Sequence, residues 1–196
     1  KKIKNMTAYD RKQNIGLFGF GVVGESLYHV ISRSPASQAE VKKICIKHSG
    51  KKRSLPPDMF CYSQDEIIND AEINLVVELI DDADEAYNIV RSALKAGKNV
   101  VSGNKKMIAR HLKELISLQE ESGRALLYDA SACGSIPVIR NLEEYYDTDL
   151  LLSITGILNG SSNYILSQAF HNDASYQDAL ERAKELGFAE SDPSLD

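Results

Sequence analysis

Residues 14–27 read NIGLFGFGVVGESL, and the organisation of the chain follows from how this stretch is built. Ile15, Gly16, Leu17 and Phe18 form an apolar run behind the polar Gln13 and Asn14, the pattern of a short buried strand. Gly19, Gly21 and Gly24 then stand as GxGxxG. Val23, Leu27, Val30 and Ile31 recur at i, i+4, i+7 and i+8, which puts them on one face of a helix that Ser34 and Pro35 end. In a strand, turn and helix of this kind the first glycine permits the tight turn. The second leaves room for a pyrophosphate near the backbone, and the third lets the helix close on the strand. Free N–H groups at the helix start then hold phosphate. The stretch therefore predicts a dinucleotide site. A glycine-rich turn without a ligand is the other reading, and the flanking strand and helix weigh against it.

Working outward, a second strand is expected from Val41 to Lys47, followed by a solvated loop rich in Lys, Arg and Pro through Asp58. Leu75 to Ile80 reads as another apolar strand, and Ala86 to Ala96 as a helix that Gly97 caps. Asn99 to Ser102 is a further strand; Ile108, Leu112, Leu115 and Ile116 mark a helix face; Gly123 precedes a strand from Ala125 to Asp129. Strands alternating with helices in this way predict an α/β, Rossmann-like, doubly wound parallel sheet covered on both sides, over residues 1–132. From residue 133 to 196 the pattern changes to a partial α+β domain. Pro137 opens a helix, Leu150 to Thr155 reads as a strand, and helices follow at Tyr164 to Phe170 and Tyr176 to Leu186, the last capped by Gly187.

The bulk composition narrows the partners. With 43% hydrophobic residues the chain can fill one ordinary core and part of another. No apolar run approaches the ~20 residues that cross a bilayer, and the opening KKIKNMTAYDRKQN is not followed by an apolar stretch of signal-peptide type. A membrane partner is not expected. A net charge of −5 without a basic stripe argues against nucleic acid, leaving a small molecule as the expected ligand. Cys45, Cys61 and Cys133 are far apart and in no CxxC pairing, which suggests neither zinc nor a disulfide framework but reduced thiols in a cytoplasmic protein.

The kind of dinucleotide is set about 20 residues beyond the glycines, where an acid would bind the 2′-hydroxyl of NAD. Lys47 and His48 stand there, with Lys51, Lys52 and Arg53 next. No acid repels a 2′-phosphate and several cations attract one, so NADP is favoured over NAD. A solvated basic loop is the alternative.

Four further stretches, GKNVVSGNKKMIA (97–109), LLYDASACGSIPVI (126–139), GILNGSSNYIL (156–166) and AKELGFAESDPSLD (183–196), lie in order behind GFGVVG. Together they resemble the homoserine dehydrogenases from about Asn14 to Asp196. The resemblance implies NAD(P)-dependent interconversion of L-homoserine and L-aspartate 4-semialdehyde, a Rossmann cofactor domain, and a second domain that binds substrate and forms a homodimer. It implies cofactor contacts at Phe20, Gly21, Val22, Val23, Lys105 and Gly187, and substrate contacts at Glu190 and Asp196, whose carboxylates suit an ammonium group. Lys105, after Asn104, is the implied catalytic residue, at the carboxyl end of a strand where its ammonium contacts substrate or exchanges a proton through water. The bland alternative is a surface lysine at a helix start, a place where a cation opposes the helix dipole.

The resemblance also implies a monovalent cation, typically sodium, on main-chain carbonyls of Asp129, Ala132, Gly134 and Ile136. Asp129 replaces a common Glu here, and Ala132-Cys133 replaces a more usual valine-glycine pair, so Cys133 lacks glycine's freedom of φ. Cys133 is expected to be a packing residue, and Asn159, Gly160 and Ser161 architectural. The family pattern continues past Asp196 with another aspartate and a proton-donating lysine. The chain is thus expected to be incomplete, and nearly inactive by itself. A non-catalytic dinucleotide-binding or dimerisation module is one rival. Another Rossmann semialdehyde reductase is a second, but it would need a nucleophilic cysteine with a histidine partner, and His29, His48, His111 and His171 lie in no such motif.

Overall fold

In the computed structural model the described residues are 12–34, 38–48, 50, 53–134, 136–146, 150–156 and 159–189. β1 (Gln13–Phe18) lies between β2 (Ala39–Cys45) and β4 (Leu75–Glu78). β3 (Phe60–Cys61) flanks β2, β5 (Asn99–Ser102) flanks β4, and β6 (Leu126–Leu127) completes the far side. All pairs are parallel, in the order β3-β2-β1-β4-β5-β6. The chain winds outward from β1 through β2 and β3, then returns to build the other half from β4. The strand order reverses between β1 and β4, and in open α/β sheets ligands bind at the carboxyl ends of the strands at such a point.

Alternation along β1 divides the core. Ile15 and Leu17 face one cluster with Val41, Ile44 and Val77, while Phe18 faces the other with Val76, Val90, Leu94, Val100, Met107 and Leu115. Helix α1 (Val22–Arg33) covers the first face; α3 (Ala83–Lys95) and α4 (Lys105–Ser122) cover the second, with the short α2 (Asp65–Ile68). Asp82 starts α3 by accepting the Asp84 and Glu85 N–H groups, and a Schellman turn ends it, with Gly97 N–H to Leu94 O and Lys98 N–H to Ala93 O. The buried Lys98 ammonium donates to the Asp70 and Ile73 carbonyls at 2.5 and 2.7 Å, tying this turn to the loop before β4.

Several expectations are corrected. Val23 and Val30 are 63% and 66% exposed, and the face of α1 against the sheet is Gly24, Leu27, Tyr28 and Ile31. A glycine, not a valine, leads the buried face because the helix must close on the turn before it. β2 stops two residues early, at Cys45, and β4 at Glu78. The loop after β2 is not merely solvated. Leu55, Met59 and Phe60 pack on the core, and the segment holds a 3₁₀ turn (Pro57–Met59) and β3, which periodicity over two residues does not reveal. Cys45 and Cys61, distant in sequence, are register partners on β2 and β3.

The chain divides into two compact units, Lys1–Ser131 and Ala132–Asp196. The second carries α5 (Val138–Tyr145), α6 (Gly160–Asn172) and α7 (Tyr176–Glu185). Asn159 caps α6 through the Ser162 N–H, and α6 packs on α7 through Ile165, Ala179 and Ala183. Ser161 Oγ donates to Phe188 O at 2.6 Å. The strand expected from Leu150 to Thr155 is not formed; Leu150 and Leu152 are 85% and 92% exposed. A strand needs a second strand beside it, and this segment is not among the six described strands of the sheet. No helix among the described residues is long and apolar enough to cross a membrane.

Candidate functional site

The site begins at the turn after β1. Gly19 takes φ +93°, and its N–H donates to Cys45 O at 3.1 Å. A Cβ there would sit 2.6 Å from the Leu79 carbonyl oxygen, so the turn lies directly on the backbone that leaves β4. A Cβ on Gly24 would run into the carbonyl oxygen of Gly19. Gly21 is different. Its φ of −88° suits any residue, and among the described residues no atom beyond its chain neighbours lies within 4 Å of its Cβ position. The open space is a cradle of the kind a pyrophosphate needs, and no side chain caps α1 in front of it. Phe20 is half-buried against Tyr28 and Phe60, whereas Val22 and Val23 are exposed at the helix start. The residues present therefore fit a dinucleotide phosphate.

Beyond β2, Lys47 pairs with Glu85 at 3.4 Å, an exposed contact of small energetic weight. Arg53 Nη2 donates to His48 O at 2.8 Å, and its guanidinium lies 5.4 Å from the Phe60 ring centre. Lys51 and Lys52 lie outside the described residues. The Cys61 thiol donates to Cys45, which lowers the Cys45 pKa; the same bond, aided by burial, raises that of Cys61.

At the ends of β4 and β5 the structure shows a network that sequence reading missed. Glu78 is fully buried; its Oε2 accepts from Ser102 Oγ at 2.6 Å and its Oε1 from the Ile80 N–H at 2.7 Å. Burial pushes this carboxyl above the ordinary range, Asp81 adds to the rise, and the two hydrogen bonds oppose it. Asn104 caps α4 by accepting the Met107 N–H at 2.8 Å, and its Nδ2 donates to Ile80 O at 2.9 Å. Lys105 is the first residue of that helix and is half-buried. An acid inside the apolar run Leu75 to Ile80 was the available signal.

The remaining expected residues are less gathered. Asp129 opens a 3₁₀ turn at the end of the first unit; Ala132, Gly134 and Ile136 belong to the second. Gly134, at φ +58°, takes the left-handed position and Cys133 does not, so the cysteine imposes no backbone strain. The Ile136 carbonyl accepts the Val138 N–H at 2.8 Å, which leaves one lone pair for a cation. Gly187, at φ +76°, completes a Schellman turn after α7, its N–H on Lys184 O and that of Phe188 on Ala183 O. Glu190 and Asp196 lie outside the described residues.

The 3-2-1-4-5-6 parallel order, with a glycine turn and an open helix start at its point of reversal, defines a dinucleotide-binding domain. Residues 19–129 match the homoserine dehydrogenase NAD-binding domain family, and residues 137–196 the homoserine dehydrogenase family. The chain belongs to the homoserine dehydrogenase family. A homoserine dehydrogenase of Helicobacter pylori is 36% identical, over 95% of this chain and 45% of its own length; one of Bacillus subtilis is 31% identical, over 93% and 44%. A crystal structure of a homoserine dehydrogenase from Thiobacillus denitrificans superposes with a TM-score of 0.83 at 30% identity, covering 94% of this chain and 44% of that one. A hyperthermophilic archaeal homoserine dehydrogenase in complex with NADPH gives 0.75 at 28% identity, covering 94% and 64%. The chain spans about 44% of the length of the curated relatives it matches.

Proposed function

We propose that the protein acts as an NADP-preferring homoserine dehydrogenase, interconverting L-homoserine and L-aspartate 4-semialdehyde in the cytoplasm, in the aspartate-derived route to threonine, methionine and isoleucine. The observation that carries this reading is the line Gly19, Leu79, Gly103, Asn104 across the carboxyl ends of β1, β4 and β5, with Lys105 at its end. A Cβ on Gly103 would meet Leu79 at 3.0 Å, as one on Gly19 would meet the Leu79 backbone. The bound dinucleotide supplies or accepts hydride. The Gly21 turn and the start of α1 bind its phosphates, Phe20, Val22 and Val23 line the turn, and the Lys105 ammonium contacts substrate and exchanges a proton with its oxygen through water. Gly187 is proposed as a further cofactor contact, Glu190 and Asp196 as ligands of the substrate ammonium. The carbonyls of Asp129, Ala132, Gly134 and Ile136 are proposed to hold sodium.

The NADP preference is tested by titrating NADPH and NADH against protein fluorescence. Tighter binding of NADPH is expected, and replacement of Lys51, Lys52 and Arg53 by Ala narrows the difference. Equal affinities at moderate salt, or a preference for NADH, would contradict it.

Self-association through the second unit is also proposed. Leu150, Leu152, Leu166 and Phe170 are exposed there, and apolar patches of this kind mark contact surfaces. Sedimentation is expected to show a dimer. Monomer alone at high concentration refutes this reading.

A further inference from the structure

Glu78 is an acid where the sheet needs only an apolar side chain. It ends β4 with 0% exposure, and its neighbours in the strand, Val76 and Val77, are core residues. Removing a carboxylate from water is costly unless donors meet it, and here two do: Ser102 Oγ at 2.6 Å and the Ile80 N–H at 2.7 Å. The arrangement continues past the acid. Because the Ser102 hydroxyl gives its hydrogen to Glu78, its lone pairs are turned outward, and one accepts the Asn104 N–H at 3.1 Å. Asn104 Nδ2 donates to the Ile80 carbonyl at 2.9 Å, and Ile80 returns its own N–H to Glu78. The four residues Glu78, Ser102, Asn104 and Ile80 form a closed ring in which each donor has an acceptor.

The ring ends one residue before Lys105. Asn104 is held from three sides: by Ser102 at its N–H, by Ile80 at its amide nitrogen, and by the Met107 N–H at its amide oxygen. With Asn104 fixed, the first turn of α4 is fixed, and with it the origin and direction of the Lys105 side chain. We propose that Glu78 is a positioning residue for Lys105, its buried carboxylate setting the donor direction of the Ser102–Asn104–Ile80 ring that anchors the start of α4. The inference rests on the proposed role of Lys105.

A carboxylate is the group required. Glutamine has the same size, but its amide nitrogen must donate towards Ser102 Oγ, which already accepts from Asn104. Both Ser102 lone pairs are then taken, the Ser102 hydrogen is left without its acceptor in the ring, and the join between residue 78 and Ser102 is reversed, which weakens the hold on Asn104. The test uses the whole chain with its lysines methylated with ¹³C, the Lys105 signal being assigned by its loss in Lys105→Arg. In Glu78→Gln the Lys105 signal is expected to move towards the positions of exposed lysines, while the signals of distant lysines such as Lys184 stay in place. NADPH affinity is expected to fall on the order of tenfold in Glu78→Gln, and by less than about twofold when the same change is made in Lys105→Ala, where nothing remains to be positioned. An unmoved Lys105 signal, or an equal loss of affinity in both backgrounds, overturns the proposal. Ser102→Ala opens the ring without altering the acid and is expected to give the same pair of results, so the test stands if Glu78→Gln does not fold. A parent protein that fails to bind NADPH refutes the cofactor reading above, while the methyl-lysine signal still decides the role of Glu78.

Discussion

Gly24→Ala is expected to weaken NADPH binding on the order of 10²-fold and to lower folding stability by about 1–3 kcal/mol. The added methyl group would enter the carbonyl oxygen of Gly19, and both partners are backbone, so no side chain can swing aside. Either α1 withdraws from the sheet, uncovering Leu27, Tyr28 and Ile31, or the Gly19 turn is pushed along its contact with Leu79. Each outcome moves the helix start away from where phosphate would sit. Gly21→Val separates the two effects. Its side chain enters open space with an ordinary φ of −88°, so stability should change by no more than about 0.5 kcal/mol. It would nevertheless fill the cradle and reduce affinity. Urea unfolding beside cofactor titration decides the matter. A Gly21→Val protein that binds NADPH as tightly as the parent would show that the dinucleotide does not lie across this turn.

Lys105→Ala is expected to lower kcat for homoserine oxidation about 10²- to 10⁴-fold in any form of the protein that carries the activity, the range a positioned proton-transfer group contributes. Affinity for NADPH should fall by only about tenfold, the loss expected when the same ammonium is misplaced. The same substitution should not weaken the fold. Lys105 is the first residue of α4, where a cation opposes the helix dipole, and its removal is expected to raise stability by about 0.3–1 kcal/mol. Activity and stability thus move in opposite directions, which a residue needed only for structure cannot produce. A kcat within threefold of the parent, or a loss of stability equal to the loss of activity, would end the case for Lys105.

How much of this was legible depended on whether the physical cause was local. The signals for the turn at Gly19 and the helix after it, an apolar run, three glycines and a recurring apolar face, follow one another directly in the chain, and the sequence pattern locates both. β5 from Asn99 to Ser102 was likewise plain, because a short apolar run between a helix cap and a helix start leaves few other options. β3 was missed because two residues carry no period, and because what holds Phe60 and Cys61 in place is β2, fifteen residues away. Hydrophobicity points to Val23 and Val30 beside Leu27 and Ile31 as the buried face of α1, yet the two valines face outward. The contact that decides the face is a missing side chain at Gly24. The ring around Glu78 joins residues from β4 and β5 that meet only through sheet register, Glu78 opposite Ser102. Leu150 to Thr155 shows the reverse failure: the apolar run is local and present, but a strand is a relation between two segments.

Among the described residues, both outermost strands of the sheet are two residues long, Phe60–Cys61 on one side and Leu126–Leu127 on the other. A sheet rim exposes unsatisfied amide and carbonyl groups, and a long rim is a template on which another molecule's strand can zip and fibres can grow. Rims this short give an incoming strand too few hydrogen bonds to stay. The first unit can therefore hold a strongly apolar parallel sheet at its centre while offering other chains little edge to extend.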